Sequence, residues 1–287
     1  MAQTRKPKYR LHRNFRLPMG FSPENFDSGL TYQAQPNDMF IVTYPKCGTT
    51  WTQYILWVLS HDGQPLSPGK NINSEVPFLE ETGGDFVKSL PQPHFIKTHL
   101  SYSLTPHHPD AKYIHIARNP FDCAVSFYYH TQGFVKHYDF AEGTFDEFFE
   151  CFITGEVDWG DYFDHLLPWI ENKGARNILF LTYESMKDDP RAAIIEIANF
   201  LGEEYIKKVK NLEILESTVE HTSFSQMSKN QARWSSQRPD QAAPFVRKGK
   251  VGDWQSHFSD SQIQRLSQKF RERMAGTEAV TLWQLPT

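Results

Sequence analysis

Eight consecutive residues, Tyr44-Pro45-Lys46-Cys47-Gly48-Thr49-Thr50-Trp51, bring together a cation, a lone glycine and two hydroxyls. Such a set suits an anion. The free N–H groups of a first helical turn, the positive end of the helix dipole, the Thr49 and Thr50 hydroxyls and the Lys46 ammonium can converge on one point. Three further segments carry related chemistry. Lys97-Thr98-His99 places a lysine and a histidine on one side of an extended chain. Arg118-Asn119-Pro120 offers a guanidinium, whose planar fork can bond phosphate bidentately. Phe245-Val246-Arg247-Lys248-Gly249-Lys250-Val251-Gly252-Asp253-Trp254 adds three cations and two glycines without periodicity, as in a loop that folds over phosphate.

These groups need elements to hold them. Residues 39–42, 95–96, 113–117 and 178–181 are short, bulky and apolar and are followed by polar or turn residues, so each reads as a strand. Trp51, Tyr54, Ile55, Val58 and Leu59 recur at helical spacing after the glycine, and helical patterns cover 121–129, 145–153, 162–170, 192–201, 219–227 and 261–274. Strands alternating with helices predict an α/β fold: one domain over residues 1–287, its central parallel sheet flanked by helices on both faces, with a P-loop-like loop after the first sheet strand. Ligands of such sheets gather at the carboxyl ends of the strands. Lys46, Lys97, His99 and Arg118 all directly follow predicted strands, so they share one rim.

Composition narrows the function. The net charge of −4 argues against a nucleic-acid partner and makes the concentration of cations on one rim more telling. Arg5, Lys6, Lys8, Arg10, Arg13 and Arg16 make residues 1–20 locally basic, which reads as a solvated, partly mobile terminus. A transit peptide fits less well, given Pro7, Pro18 and the lack of serine enrichment. With no apolar run of about 18 residues and no signal-peptide core, a cytoplasmic protein without a membrane partner is expected. The three cysteines, Cys47, Cys123 and Cys151, lie at unrelated spacings, so reduced thiols are expected, with no disulfide and no metal site.

Each of these features also has a plainer reading. A strand–helix turn with an exposed lysine is common, and a nucleoside-triphosphate P-loop puts its lysine after the second glycine, whereas Lys46 precedes the only one. His99 is one of 12 histidines, and it stands out only through its neighbour Lys97, itself readable as a solvated strand-end lysine. Arg118 and Ser126 are eight residues apart and need not meet. Phe127, Tyr128, Tyr129, Phe148, Phe149, Trp159 and Trp169 read as core, and Glu80 and Glu81 as solvated carboxylates.

Together, the Lys46 segment, Phe-Ile-Lys-Thr-His-Leu at 95–100, Arg-Asn-Pro-Phe-Asp-Cys-Ala-Val-Ser at 118–126 and Arg-Lys-Gly-Lys-Val-Gly-Asp-Trp at 247–254 resemble the cytosolic sulfotransferases, in the same order and from about Gly20 to Trp254. The resemblance implies 3′-phosphoadenosine 5′-phosphosulfate (PAPS) as donor, adenosine 3′,5′-bisphosphate (PAP) as product and no required metal. It implies that Lys46, Cys47, Gly48, Thr49, Thr50 and Trp51 wrap the phosphosulfate, and that Arg118, Ser126, Arg247, Lys248 and Gly249 hold the 3′-phosphate. Tyr183, Thr222, Ser223 and Phe224 would line the adenosine, with Phe245 and Val246 beside them. His99 would act as general base, Lys46 and Lys97 as charge-stabilising cations, and Phe78 and Phe21 as walls for a small acceptor. An atypical nucleotide kinase and a non-catalytic nucleotide-binding protein are the competing readings.

Two features depart from the family. Cys47 replaces a more usual serine, and a thiol at a helix N-terminus beside Lys46 is expected to be acidic and sensitive to oxidation or alkylation. Gln255, Ser259, Asp260 and Gln264 stand where many members carry Lys, Thr, Val and Glu as a dimer contact, which puts the usual homodimer in doubt.

Overall fold

The structure is a computed structural model that describes residues 4–235, 239 and 241–285. Six strands occur among these: β1 (Arg10–His12), β2 (Phe15–Leu17), β3 (Met39–Thr43), β4 (Phe95–Thr98), β5 (Lys112–Ala117) and β6 (Ile178–Thr182). The last four form one all-parallel sheet in the order β4-β3-β5-β6. Central β3 pairs Ile41 with Lys97 on one side and with Ile114 on the other. Alternation along the strand buries both faces. Ile41 packs with Ile55, Ile114 and Ile194, while Phe40 and Val42 pack with Ile96, Tyr113 and Trp169. The expected strands, parallel pairing and flanking helices are all present.

The basic segment 1–20 departs from expectation over residues 4–20, and its residues 1–3 lie outside the described ones. β1 and β2 make an antiparallel hairpin, pairing Arg10 with Leu17. Arg13 and Asn14 both take positive φ at its turn (47° and 67°), as a two-residue I′ turn requires. Lys8 N–H donates to the Tyr138 carbonyl at 2.7 Å, Lys6 pairs with Glu156, and His12 bonds Asp27 at 2.7 Å. The segment is thus pinned by backbone pairing that its charge conceals, and it delivers Pro18 and Phe21 to the cavity described below.

Capping explains the other differences. The expected helix over 219–227 is divided into Leu212–His221 and Phe224–Met227, because Ser223 accepts the Gln226 N–H and starts a new turn. A helix over Pro23–Leu30 is opened by Ser22 and by proline at its first position. Ser259 and Gln262 form a capping box for helix Asp260–Met274. No helix among the described residues is long and apolar enough to cross a membrane.

Candidate active site

At the end of β3 the chain reverses through Lys46 (φ 71°) and Gly48 (φ 101°) into helix Thr49–Ser60, with Gly48 at its N-cap. A Cβ on Gly48 would approach the Tyr183 ring to 3.1 Å, so both conformation and space call for glycine. Arg118, at the end of β5, donates to the Lys46 carbonyl at 3.1 Å and lies 4.3 Å over the same Tyr183 ring. These contacts fix the anion loop against two strand ends.

The late glycine- and cation-rich loop is brought to that rim by Asp122 in helix Pro120–Gly133, whose carboxylate accepts Gly252 N–H at 2.7 Å and Trp254 N–H at 3.0 Å. Arg247 and Lys248 both bond Asp253 at 2.6 Å, and Arg247 stacks 4.4 Å over Tyr129. Gly249 (φ 59°) lies against Phe224, where a Cβ would fall 2.4 Å from the ring. Here the sequence spacing failed to show a pairing, since Arg118 and Ser126 line one cavity together with Arg247 and Lys248.

His99 follows β4, on the other side of β3. Its Nδ1 lies 2.8 Å from the Thr43 carbonyl oxygen and 3.2 Å from Thr43 Oγ1, and Thr43 Oγ1 is 2.7 Å from Thr49 Oγ1. A carbonyl only accepts, so Nδ1 carries the proton and Nε2 is the basic nitrogen. Burial, and then the charge of Lys97, push this imidazole well below its usual range and keep it neutral. Lys97 is itself lowered by burial against the pull of Glu81 and Glu80, and its ammonium sits 3.9 Å over Phe78. A parallel bridge between Phe78 and Lys97, with Lys97 N–H donating to Pro77 O at 2.8 Å, sets this pairing. Around His99 stand Phe78 at 4.9 Å and Trp159 at 5.3 Å between ring centroids, with Phe21 packed edge-on to both.

One continuous cavity joins the two halves. It is lined by Lys46, Gly48, Thr49, Thr50, Trp51, Arg118, Ser126, Tyr183, Thr222, Phe224, Phe245, Val246, Arg247, Lys248 and Gly249 at one end and by Phe21, Phe78, Lys97 and His99 at the other. Two predicted residues do not line it. Ser223 is engaged as a helix cap. Cys47 is fully buried, with Sγ directed at Pro45 O and Cys123 Sγ, both at 3.8 Å. Burial, reinforced by Cys123, raises this thiol well above its usual value, so the expectation of an acidic, reactive cysteine is corrected: desolvation outweighs the helix terminus.

Glu80 and Trp159 also require correction. Glu80 is fully buried, and its Oε1 accepts His99 N–H at 2.6 Å and Trp159 Nε1–H at 3.1 Å; burial lifts it to about 7. Trp159 (φ 61°) is only partly buried: it packs against the core on one side and forms a wall of the cavity. His130, Tyr138, Asp158 and Lys187, also on the wall, carry no sequence signal, because only tertiary packing brings them there.

A parallel α/β sheet thus holds a cationic loop at its strand ends beside an aromatic chamber, an arrangement suited to an anionic ligand next to a smaller apolar one. A family model for the sulfotransferase domain matches residues 36–278. Human sulfotransferase 1C2 is 38% identical over 269 residues, covering 88% of each chain, and mouse sulfotransferase 1B1 is 35% identical, covering 86% of this chain and 85% of its own. The crystal structure of mouse sulfotransferase SULT7A1 complexed with PAP superposes with a TM-score of 0.73 at 26% identity, covering 96% of each chain. The chain belongs to the sulfotransferase family. It is a PAPS-dependent sulfotransferase, and the kinase and non-catalytic readings are set aside.

Proposed function

We propose that this enzyme transfers the sulfuryl group of PAPS to a hydroxyl or amine of a small aromatic acceptor, such as a phenol, phenolic amine or sterol-like alcohol, with His99 as general base. The observation that carries the reading is the single tautomer of His99: the Thr43 carbonyl holds Nδ1–H, leaving Nε2 basic at the junction of the cationic and aromatic walls. In this reading the loop from Lys46 to Trp51 wraps the phosphosulfate. Arg118, Ser126, Arg247, Lys248 and Gly249 take the 3′-phosphate, while Tyr183, Thr222, Phe224, Phe245 and Val246 line the nucleoside. Ser223 contributes through the turn it caps, and Cys47 through loop packing.

The acceptor oxygen attacks sulfur as its proton passes to His99 Nε2, and the bond from sulfur to the bridging phosphate oxygen breaks with its electron pair retained by the phosphate. Lys46 neutralises the charge growing on that oxygen, and Lys97 stabilises the sulfuryl oxygens. Lys97 is suited to this because its ammonium is held over the Phe78 ring on the cavity wall, with no carboxylate bonded to it among the described residues. Phe21, Phe78 and Trp159 form the acceptor walls, where flat rings pack with large buried area.

Residues 1–287 are read as one sulfotransferase domain, in a cytoplasmic setting as the family resemblance suggests. The acceptor class is tested with radiolabelled PAPS and a panel of phenols, phenolic amines, sterols, sugars and tyrosine peptides. Transfer to the small aromatics is expected; transfer confined to sugars or peptides would overturn the assignment.

A further inference from the structure

One buried carboxyl on the cavity wall has no part in the reading above. Asp158 is 1% exposed and accepts the Tyr138 hydroxyl on Oδ2 at 2.7 Å, while its Oδ1 has no hydrogen-bond partner among the described residues. The Tyr138 oxygen lies 3.5 Å from His130 Nε2, and His130 Nδ1 lies 3.3 Å from Lys46 Nζ. With Asp158 as the carboxylate, elementary chemistry fixes every direction. An ammonium has only donors, so His130 Nδ1 accepts from Lys46. The one Tyr138 O–H goes to Asp158, so its oxygen accepts from His130 Nε2–H. A single neutral tautomer of His130 satisfies both ends, and the chain runs unbroken from Lys46 to the carboxyl.

The surroundings fit this direction. Tyr138 is 2% exposed, and the Lys46 ammonium lies 4.3 Å from the centroid of the Phe245 ring. Burial raises the Asp158 carboxyl to about 7, with the Lys46 charge among the influences that hold it down.

We propose that Asp158, Tyr138 and His130 form a positioning relay that aims the Lys46 ammonium at the departing phosphate oxygen. The relay holds protons and moves none; its residues act through Lys46. The inference rests on the role given to Lys46 in the proposed mechanism.

The test compares His130→Leu, His130→Gln and Asp158→Asn, each in the native background and in Lys46→Ala, measuring kcat and KM with phenol and with naphthol, and PAP affinity by calorimetry. Loss of a hydrogen bond to a charged group predicts that His130→Leu lowers kcat about tenfold or more with both acceptors, while KM and PAP affinity barely move. His130→Gln, whose amide can accept from Lys46 and donate to Tyr138, should restore most of the rate. In the Lys46→Ala background His130→Leu should cost nothing further. An equal loss in that background, a glutamine as poor as leucine, or an effect confined to the KM of one acceptor would overturn the relay. Full activity in Lys46→Ala alone would instead overturn the role of Lys46. If the buried Asp158→Asn fails to fold, the half-buried His130 variants decide.

Discussion

Replacing Glu80 by glutamine isolates a balance between burial and hydrogen bonding beside the base. The carboxyl is fully buried, and burial raises it from 4.5 to about 7 although His99 N–H and Trp159 Nε1–H both donate to Oε1. That change corresponds to roughly 3 kcal/mol between the protonation states. Its sign follows from linkage: the folded protein holds this proton more tightly than the unfolded chain, so the stability it contributes is complete below about pH 4.5 and lost as pH rises through about 7. Glutamine keeps the oxygen acceptor and removes the titration. Urea unfolding followed by tryptophan fluorescence at pH 5 and pH 8 should show native stability falling relative to Glu80→Gln by about 2.5 kcal/mol between the two. Glu80→Ala should instead be destabilised at both values, since the buried His99 N–H loses its acceptor at about 1–3 kcal/mol and the partly buried Trp159 Nε1–H loses one too. A native-minus-glutamine difference that is the same at pH 5 and pH 8 would refute the reasoning, because Glu80 would then be ionised throughout.

Other predictions follow from the same geometry. Cys47 should resist maleimide in the native protein and react once unfolded, with PAP affinity unaffected by native treatment; stoichiometric native labelling that weakens PAP binding would restore the acidic-thiol reading. His165 is lowered to about 4 by burial, so its contribution to stability is present above pH 6.5 and lost as pH falls toward 4. Urea unfolding across that range should show His165→Phe flattening the acid side of the profile, and an unchanged slope would contradict this. Arg247→Ala should weaken PAP binding about 10- to 100-fold by calorimetry, as expected for a lost charge-assisted pair, and should also lower unliganded stability because Asp253 loses its 2.6 Å partner; unchanged PAP affinity would contradict this.

The sheet was legible because its strands are short apolar runs bounded by turn residues, and its rim because the strand ends carry Lys46, Lys97, His99 and Arg118. The hairpin at 10–17 was hidden by six nearby cations, since strand pairing there depends on the Arg13-Asn14 turn and on anchoring to Tyr138 and Asp27. Trp159 and Glu80 were misread for a related reason. Their types suit core and solvent respectively, and only the meeting of two chain segments 79 residues apart makes them a wall and a clamp for His99. Lys46 and His130 are separated by 84 residues, so no spacing rule could have joined them. For Cys47 the sequence suggested a helix terminus, but the burial that overrides it is tertiary.

The most direct test of the mechanism is single-turnover transfer by His99→Ala, with PAP affinity and unfolding measured on the same preparation. The account predicts a rate loss of at least about 100-fold, typical of a missing general base, with donor binding and fold intact. Native-like transfer by a His99→Ala enzyme that binds PAP normally would contradict it.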